Sequence, residues 1–559
     1  MKLSRKKYNF EQALLEAEEL FRNKKWDKAL VKYKLLLITR PRSRHLLFQI
    51  ALVCNQLEDY LGAYNYLKFL ISINTDDADA LTNLAVVCIR LSLINEAIKF
   101  FQLALLNKPD DLICLINLAG AYNMVDNYHA GLVCIKKALI IDPLNGNLYA
   151  MLGTTLIKLD QLITAKTILE TALTFDSTLL EAKFNVAIIE YKYGNYLKSI
   201  EILENMLINA NANANSNEIN AFSIDAIKFC LTLNYLSIGR LSDGWQYYDS
   251  GLHPSISPEF RRNPTRNFPV PMWDGHKNLN KTVLFWGEQG VGDQIMFASC
   301  LPDLIEYGIK IIIECDKRLV PIFKRSFPDI LDCRESSYDE TPNKNPIYQD
   351  FDFHFPFGSM MRLCRNELGM FNKSNQYLKF NENFKKQIEL KIDALKSNNK
   401  QKIKIGISWR SGKLNPERNR HYTHLVDWRP IFEIDNTEFY NLQYDECENE
   451  ILEVEKLYCI KIIRFEDVDL KNDLDLTLAL ISNLDLVITI NTAVRSLAAS
   501  IGKPVFLMGL IDFHNFGTEY FPFHPKINFF HPSKDGAISD CIPDIAKSVN
   551  EFIKKNYKI

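Results

Sequence analysis

The chain is predicted to fold as an all-α tetratricopeptide superhelix followed by an α/β region of two Rossmann-like domains. Small residues recur every 34 positions through the first two hundred residues, and from 281 onward short apolar strands alternate with helical stretches. A third observation marks the chemistry. In Thr282 to Phe297, TVLFWGEQGVGDQIMF, an apolar strand runs into glycines at 287, 290 and 292, then an acidic residue and an apolar helix. In that layout bare backbone can approach a ligand while helix N-terminal amides face an anion. The spacing is GxxGxGD, so neither a nicotinamide dinucleotide site nor a P-loop is supported by the motif itself.

The repeats come first in chain order. Ala17, Ala51, Ala85, Ala119, Gly153 and Ala187 form one 34-residue series, and Ala29, Ala63, Ala97, Gly131, Ala165 and Ser199 a second. A shorter third series is Ala104, Ala138 and Ala172, with Pro109 and Pro143 closing two units. Two helices per unit, crossing closely at small side chains, give this period and these positions. The units run over roughly 8–41, 42–75, 76–109, 110–143, 144–177 and 178–208, with a seventh helix pair over 219–252, so the array is assigned to 1–252. The Asn-Ala stretch at 209–217 lacks core-forming side chains and is expected to be an exposed loop. Residues 253–280, rich in proline, read as a linker that ends by packing through Phe268, Pro269 and Trp273.

The first α/β half is assigned to 281–400 and the second to 401–559, with strands expected in TVLFW, IKIIIEC, FDFHFPF, KIGISW, EFYNLQY, IKIIRF, LDLVITI and PVFLMG. Two such halves leave a cleft at the carboxyl ends of their strands. The last helix, from Ile542 to Tyr557, is expected to cross back and brace the first half.

Composition sets the class. A chain of 559 residues, 47% hydrophobic and 24% charged, is globular material for about three to four domains. A formal charge of −2 gives no basic footprint, so no nucleic-acid partner is expected. Twelve cysteines without a CxxC pair argue against zinc and for reduced thiols; Cys54 and Cys88, 34 apart, read as repeat-core residues. The N-terminus lacks the apolar run of a signal peptide, and no stretch of eighteen apolar residues occurs. No membrane span and a cytoplasmic location are expected.

Several motifs then carry a resemblance. WDG at 273–275, WGEQGVGDQIMF at 286–297, FDFHFP at 351–356, IGISWRSG at 405–412, NLQ at 441–443 and LDLVITINTAVRSLAASIGKPVF at 484–506 occur in the order seen in bacterial tetratricopeptide-repeat glycosyltransferases. Their catalytic region resembles the heptosyltransferases, and the arrangement is similar to that of O-GlcNAc transferase and flagellin glycosyltransferases. The resemblance implies the two-domain GT-B fold, a nucleotide-sugar co-substrate, and inverting transfer with no metal or other cofactor.

Inverting transfer needs a base for the acceptor proton, and donors that hold the leaving diphosphate as charge builds on it. Asp293 is the base candidate by resemblance, and its structural alternative is a helix cap. Arg410 and Ser411 follow a strand end and suit a diphosphate, with Arg418 and Arg420 weaker candidates that could be a solvated loop. Thr492, Ala493 and Val494 open a helix whose first amides would receive a phosphate, and Gly290, Gly292 and Asn491 are assigned to nucleotide or sugar contact. The alternative for this turn is an Asn helix cap. The family often has aspartate where this chain has Asn491, and histidine where it has Ser496. Gln443 is a candidate for reading the nucleobase or ribose. His354, between aromatics, is either a cleft residue or a packed core histidine. Asp473 and Asp475 look like capping carboxylates. No histidine has partner spacing for a metal.

The leading expectation is a glycosyltransferase whose repeats hold a protein or peptide acceptor, flagellin or another surface protein being one possibility. The alternative is a tetratricopeptide interaction scaffold with an inactive transferase region.

Overall fold

The structure is a computed structural model that describes residues 10–212, 224–254, 256, 261–264, 266–276, 280–336, 350–373, 376–395, 402–412, 420–533 and 536–557. It divides into two compact units, Met1–Asn195 and Tyr196–Ile559.

The first unit is an array of helix pairs: α1 (Phe10–Arg22) and α2 (Trp26–Thr39), α3 (Arg44–Gln56) and α4 (Tyr60–Ile73), α5 (Ala78–Arg90) and α6 (Ile94–Asn107), α7 (Leu112–Met124) and α8 (Tyr128–Ile141), α9 (Gly146–Lys158) and α10 (Leu162–Phe175), then α11 (Leu180–Lys192). Every residue of the two small-residue series that falls in this unit is buried, from Ala17 to Ala187 and from Ala29 to Ala165. The reason is the crossing itself: a Cβ on Gly153 would lie 2.5 Å from the Leu169 side chain of the paired helix. Cys54 and Cys88 are fully buried in the same layer. Each first helix ends in a residue with positive φ, at Lys24, Glu58, Ser92, Asp126, Asp160 and Gly194, again 34 apart. Such a left-handed residue stops a helix and frees the chain to reverse. Side chains of Ser43, Asp59, Asp77, Asp111, Asn127 and Asn145 then cap six of the helices.

The second unit opens with α12 (Tyr196–Ala212), α13 (Ile224–Ser237) and α14 (Leu241–Tyr247). Sequence placed these residues at the end of the array, up to 252, whereas the compact division falls at Asn195. The cause is packing: Leu236, Leu241, Trp245 and Tyr248 share one buried cluster with Phe285 of the first sheet and with Phe516, and the Trp245 indole donates to the Arg365 carbonyl at 2.9 Å. Helix α12 also runs through Ala212, so residues 209–212, expected as loop, are helical; 213–217 lie outside the described residues.

Two parallel sheets follow. Strands β1 (Thr282–Trp286), β2 (Lys310–Cys315), β3 (Asp332–Glu335) and β4 (Phe353–Pro356) form the first, in the order β3-β2-β1-β4. Strands β5 (Ile403–Ser408), β6 (Thr437–Asn441), β7 (Ile462–Ile463), β8 (Leu486–Ile490), β9 (Val505–Met508) and β10 (Asn528–Phe530) form the second, in the order β10-β9-β8-β5-β6-β7. Counted within each half, both follow the doubly wound order 3-2-1-4, which the second extends through 5 and 6. The order reverses between β1 and β4 in one sheet and between β5 and β8 in the other. The final helix, Ile542–Asn556, buries Ile542, Ile545, Val549 and Ile553 against the core of the second sheet, so it braces that half and not the first.

The segment expected as a linker is packed: Arg262 and Trp273 are buried, and Trp273 lies edge-on to Phe285 and Phe355. No helix among the described residues is long and apolar enough to cross a membrane.

Because Ala85 is wholly enclosed at a helix crossing, Ala85→Leu is expected to cost about 1–3 kcal/mol by overpacking. A lower urea midpoint for the array's unfolding is the expected result; an unchanged midpoint would show spare room at the crossing.

Candidate functional site

In the first sheet the ladder is extended past β1 by Gly287, whose amide donates to the Glu314 carbonyl at 2.7 Å. The chain then turns through Gln289, which has positive φ, and enters α15 (Val291–Phe297). Gly290 is the N-cap. Asp293 is not the cap but the third residue of the helix, reaching back so that its Oδ2 accepts from the Gly290 amide at 3.0 Å.

Glu288, between the glycines of this turn, was not singled out from sequence. It is fully buried, and its Oε1 accepts from Arg262 Nη2 at 2.5 Å and from the Gly358 amide at 2.9 Å. Gly358 follows β4, so Glu288 spans the point where the first sheet reverses its strand order. Arg262, also fully buried, lies with its guanidinium carbon 3.9 Å from the Tyr248 ring centroid, and a side chain on Gly358 would collide with both members of the pair. Burial pushes the Glu288 carboxyl up, against the pull of Arg262 and the Gly358 amide. A second buried pair, Arg266 with Glu314 at 2.6 Å, lies at the end of β2. The crevice of the first half is thus filled by protein ions. The visible signal was a proline-rich stretch carrying arginines and a glutamate between glycines.

The reversal point of the second sheet is built differently. Beside β8, Asn491 is exposed and Thr492 is the N-cap of the Ala493–Ser500 helix, but Thr492 makes no side-chain cap bond. Thr492 thus gives the first amides of that helix, at Ala493 and Val494, no side-chain acceptor of its own, and a helix start without a cap is the condition for anion binding there. Val494 is buried and Ala493 half-buried.

On the neighbouring strand Arg410 is already engaged. Its Nη1 donates to Asp445 Oδ2 at 2.6 Å, and its Nε and Nη2 donate to Glu450 Oε1 at 2.9 and 2.6 Å. It would have to leave two carboxylates to reach a diphosphate. The role expected for Gln443 does not fit its environment. It is buried, its Oε1 accepts from the amides of Trp409 and Arg410, both at 3.1 Å, and its Nε2 donates to the Arg410 carbonyl at 2.8 Å. Gln443 brackets the strand end and has no free edge for a base. Ser411 accepts from the Tyr444 hydroxyl at 3.3 Å. Arg420 is exposed, and Arg418 lies outside the described residues.

The two halves meet through the two turns. A Cβ on Gly292 would come within 3.3 Å of Ala493 Cα and 3.5 Å of its amide nitrogen, so the missing side chain serves helix contact and not ligand approach. Arg325 of the first half pairs with Asp475, while Asp473 alone caps its helix through the Leu476 amide at 2.9 Å. Sequence reasoning also missed Arg495, which is buried under this joint with its guanidinium carbon 4.3 Å from the Phe521 ring centroid.

His354 lies in β4, stacked on Phe268 at 4.3 Å and accepting from the Trp286 indole at 3.3 Å. Burial, aided by the nearby Arg266, lowers its pKa to about 4. It is a half-buried residue packed against aromatic rings. His524, stacked on Tyr377, is pushed down to about 3 by burial and Arg495.

The fold defines a protein with a tetratricopeptide-type helix-pair array and two doubly wound α/β sheets. No family model matches the chain. Protein FlbA of Caulobacter vibrioides is 26% identical over 514 residues, covering 90% of this chain and 83% of FlbA. Among solved structures, a tetratricopeptide repeat protein from Parabacteroides merdae is 11% identical and covers 45% of this chain and 94% of its own, with a TM-score of 0.37. The type IV pilus biogenesis factor PilW is 19% identical over 38% of this chain and 97% of its own, with a TM-score of 0.34.

His354 and His524 both titrate lower when folded than the unfolded value of about 6.5. The unfolded state then binds more protons, so the stability held by the neutral rings is intact above about pH 6.5 and is lost as pH falls toward 4. His354→Phe and His524→Phe are each expected to flatten the acid side of the Tm-pH curve; a wild-type slope in both would refute this assignment.

Proposed function

We propose that the chain is an inverting, metal-independent glycosyltransferase of GT-B type. It would use a nucleotide sugar as donor and act in the cytoplasm on a protein or peptide acceptor bound by the repeat array. The observation that carries this reading is the pairing of an acidic turn with an uncapped helix start: Asp293 on α15 stands beside the Thr492–Val494 turn, through the Gly292–Ala493 contact. A carboxylate and a set of free amides at one joint are what inverting transfer requires, the first to take the acceptor proton and the second to hold the leaving diphosphate. The crevice at the first reversal point is filled by Arg262 and Glu288, which favours the second as the donor side. The helix-pair array favours an extended or helical polypeptide as acceptor.

A second reading, a tetratricopeptide scaffold with an inactive transferase region, is favoured by the engagement of Arg410 with Asp445 and Glu450. It also draws on Asn491 and Ser496, which stand where the resembling family often has aspartate and histidine.

The two readings separate in a panel of UDP, GDP, ADP and CMP sugars, scored by thermal shift and donor hydrolysis. Stabilisation by one donor class is expected, with slow hydrolysis that falls about 10²–10⁴-fold in Asp293→Asn while the thermal shift persists. No shift with any donor would favour the scaffold, and an unchanged rate in the variant would remove Asp293 from the mechanism.

A further inference from the structure

We propose that the exposed face of α2, α4, α6 and α8 is a docking band for an acidic amphipathic helix of a partner protein. The band lies wholly within the first unit, so the inference stands whether or not the α/β halves transfer a sugar.

The 34-residue period that sets the buried crossings also runs along the outside of the second helix in each pair. Ile38, Leu106 and Ile140 share one outward position and are 74%, 76% and 82% exposed. Leu35, Phe69 and Leu103 share another and are 51%, 46% and 46% exposed. Val31 and Val133, nearer the helix starts, are exposed as well. Ser72 interrupts the first of these rows, and Asn65 and Lys99 the last. Single exposed apolar side chains are ordinary, but rows of them across four successive pairs form a patch of the kind that marks an interaction site.

Lysines accompany the rows. Lys34, Lys68, Lys99, Lys136 and Lys137 are all exposed. Among the described residues Lys34, Lys99, Lys136 and Lys137 form no ion pair, while Lys68 lies over the Tyr64 and Phe100 rings. The exposed carboxylate on these four helices is that of Asp27, about two turns before Lys34, and Glu96 is half-buried. The repeat itself does not demand this pattern. Helix α10, the second helix of the next pair, has Glu170, Thr171 and Thr174 at the equivalent positions, polar and of opposite charge.

Width and charge together select the occupant. From Val31 to Ile38, or from Val133 to Ile140, the band covers about 10 Å of helix, which matches the diameter of about 10–12 Å of a single helix with its side chains. It does not widen into the broad apolar face that a lipid surface would engage: three of the four helix starts carry Asp27, Asn95 and His129, with Leu61 the apolar exception. A second copy set face to face would oppose lysine to lysine. A helix with one apolar stripe flanked by carboxylates meets both the aliphatic rows and the lysines.

The test uses the full chain and a fluorescein-labelled synthetic helix of about 24 residues, with leucine along one face and glutamate beside it, and a copy with lysine for glutamate as control. Saturable binding of the glutamate peptide that weakens with added salt is expected, without binding of the lysine peptide. The triple variant Lys34→Glu, Lys99→Glu, Lys136→Glu should weaken binding about ten- to hundredfold, and the double variant Leu106→Ser, Ile140→Ser about tenfold. Tm should be unchanged in both, because the replaced side chains are exposed. Amide exchange should slow in α2, α4, α6 and α8 on binding, and not in α1, α3, α5 and α7. Absence of binding, equal binding to both variants, or protection confined to the first helices overturns the inference. Preference for phosphatidylglycerol vesicles over the peptide, or a dimer that the double variant dissolves, overturns it in favour of a lipid surface or a second copy.

Discussion

The second unit depends on one close backbone contact, that between Gly292 and Ala493. Two helices that each begin just past the end of a central strand meet start to start most closely where one residue at the crossing has no side chain. The position of the joint brings Asp293 and the uncapped Thr492–Val494 turn together, and it encloses Arg495 beneath them. A bulkier residue at 292 would have to displace the Ala493 backbone, since no flexible side-chain end is there to yield.

Around this joint the two sheets treat the same topological feature in opposite ways. In the first, the crevice is sealed by Glu288, Arg262 and the Gly358 amide, a buried ion pair with additional hydrogen bonds. Such a pair contributes little net stability against an apolar filling, but removing one partner would strand the other charge. Its effect is to fix the shape of the glycine turn. In the second, polar groups at the strand ends are left partly open at Ala493 and closed at Gln443 and Arg410. One half closes its crevice with paired ions, and the other leaves a helix start without a side-chain cap from Thr492.

Much of this was legible in the chain. The 34-residue period was readable because helix crossings exclude side chains at fixed intervals, and the strand series was readable because parallel strands are apolar on both faces. The left-handed turn residues that share the period were hidden, because at Lys24, Glu58, Ser92, Asp126 and Asp160 the position is not glycine. Asp293 and Thr492 could be placed at helix starts from local pattern alone. What Arg410 and Gln443 touch could not, since Asp445 and Glu450 reach them across strands. Arg262 was hidden for a related reason: its partner is 26 positions away, and the segment holding it has the composition of a linker. Arg495 was masked by its neighbours, being one charge in an otherwise small and apolar helix.

The packing of α13, α14 and Arg262 also bears on how such a protein could be assembled from parts. Trp245 and Tyr248 are repeat-like in sequence but belong to the core of the sheets, and Arg262 holds the glycine turn from within the apparent linker. A gene fusion that exchanged repeat arrays at residue 252 would carry away part of the sheet's own core. The compact division falls instead between Asn195 and Tyr196. Arrays of different length or specificity could be joined there, while α13, α14 and Arg262 travel with the α/β halves as inherited scaffolding.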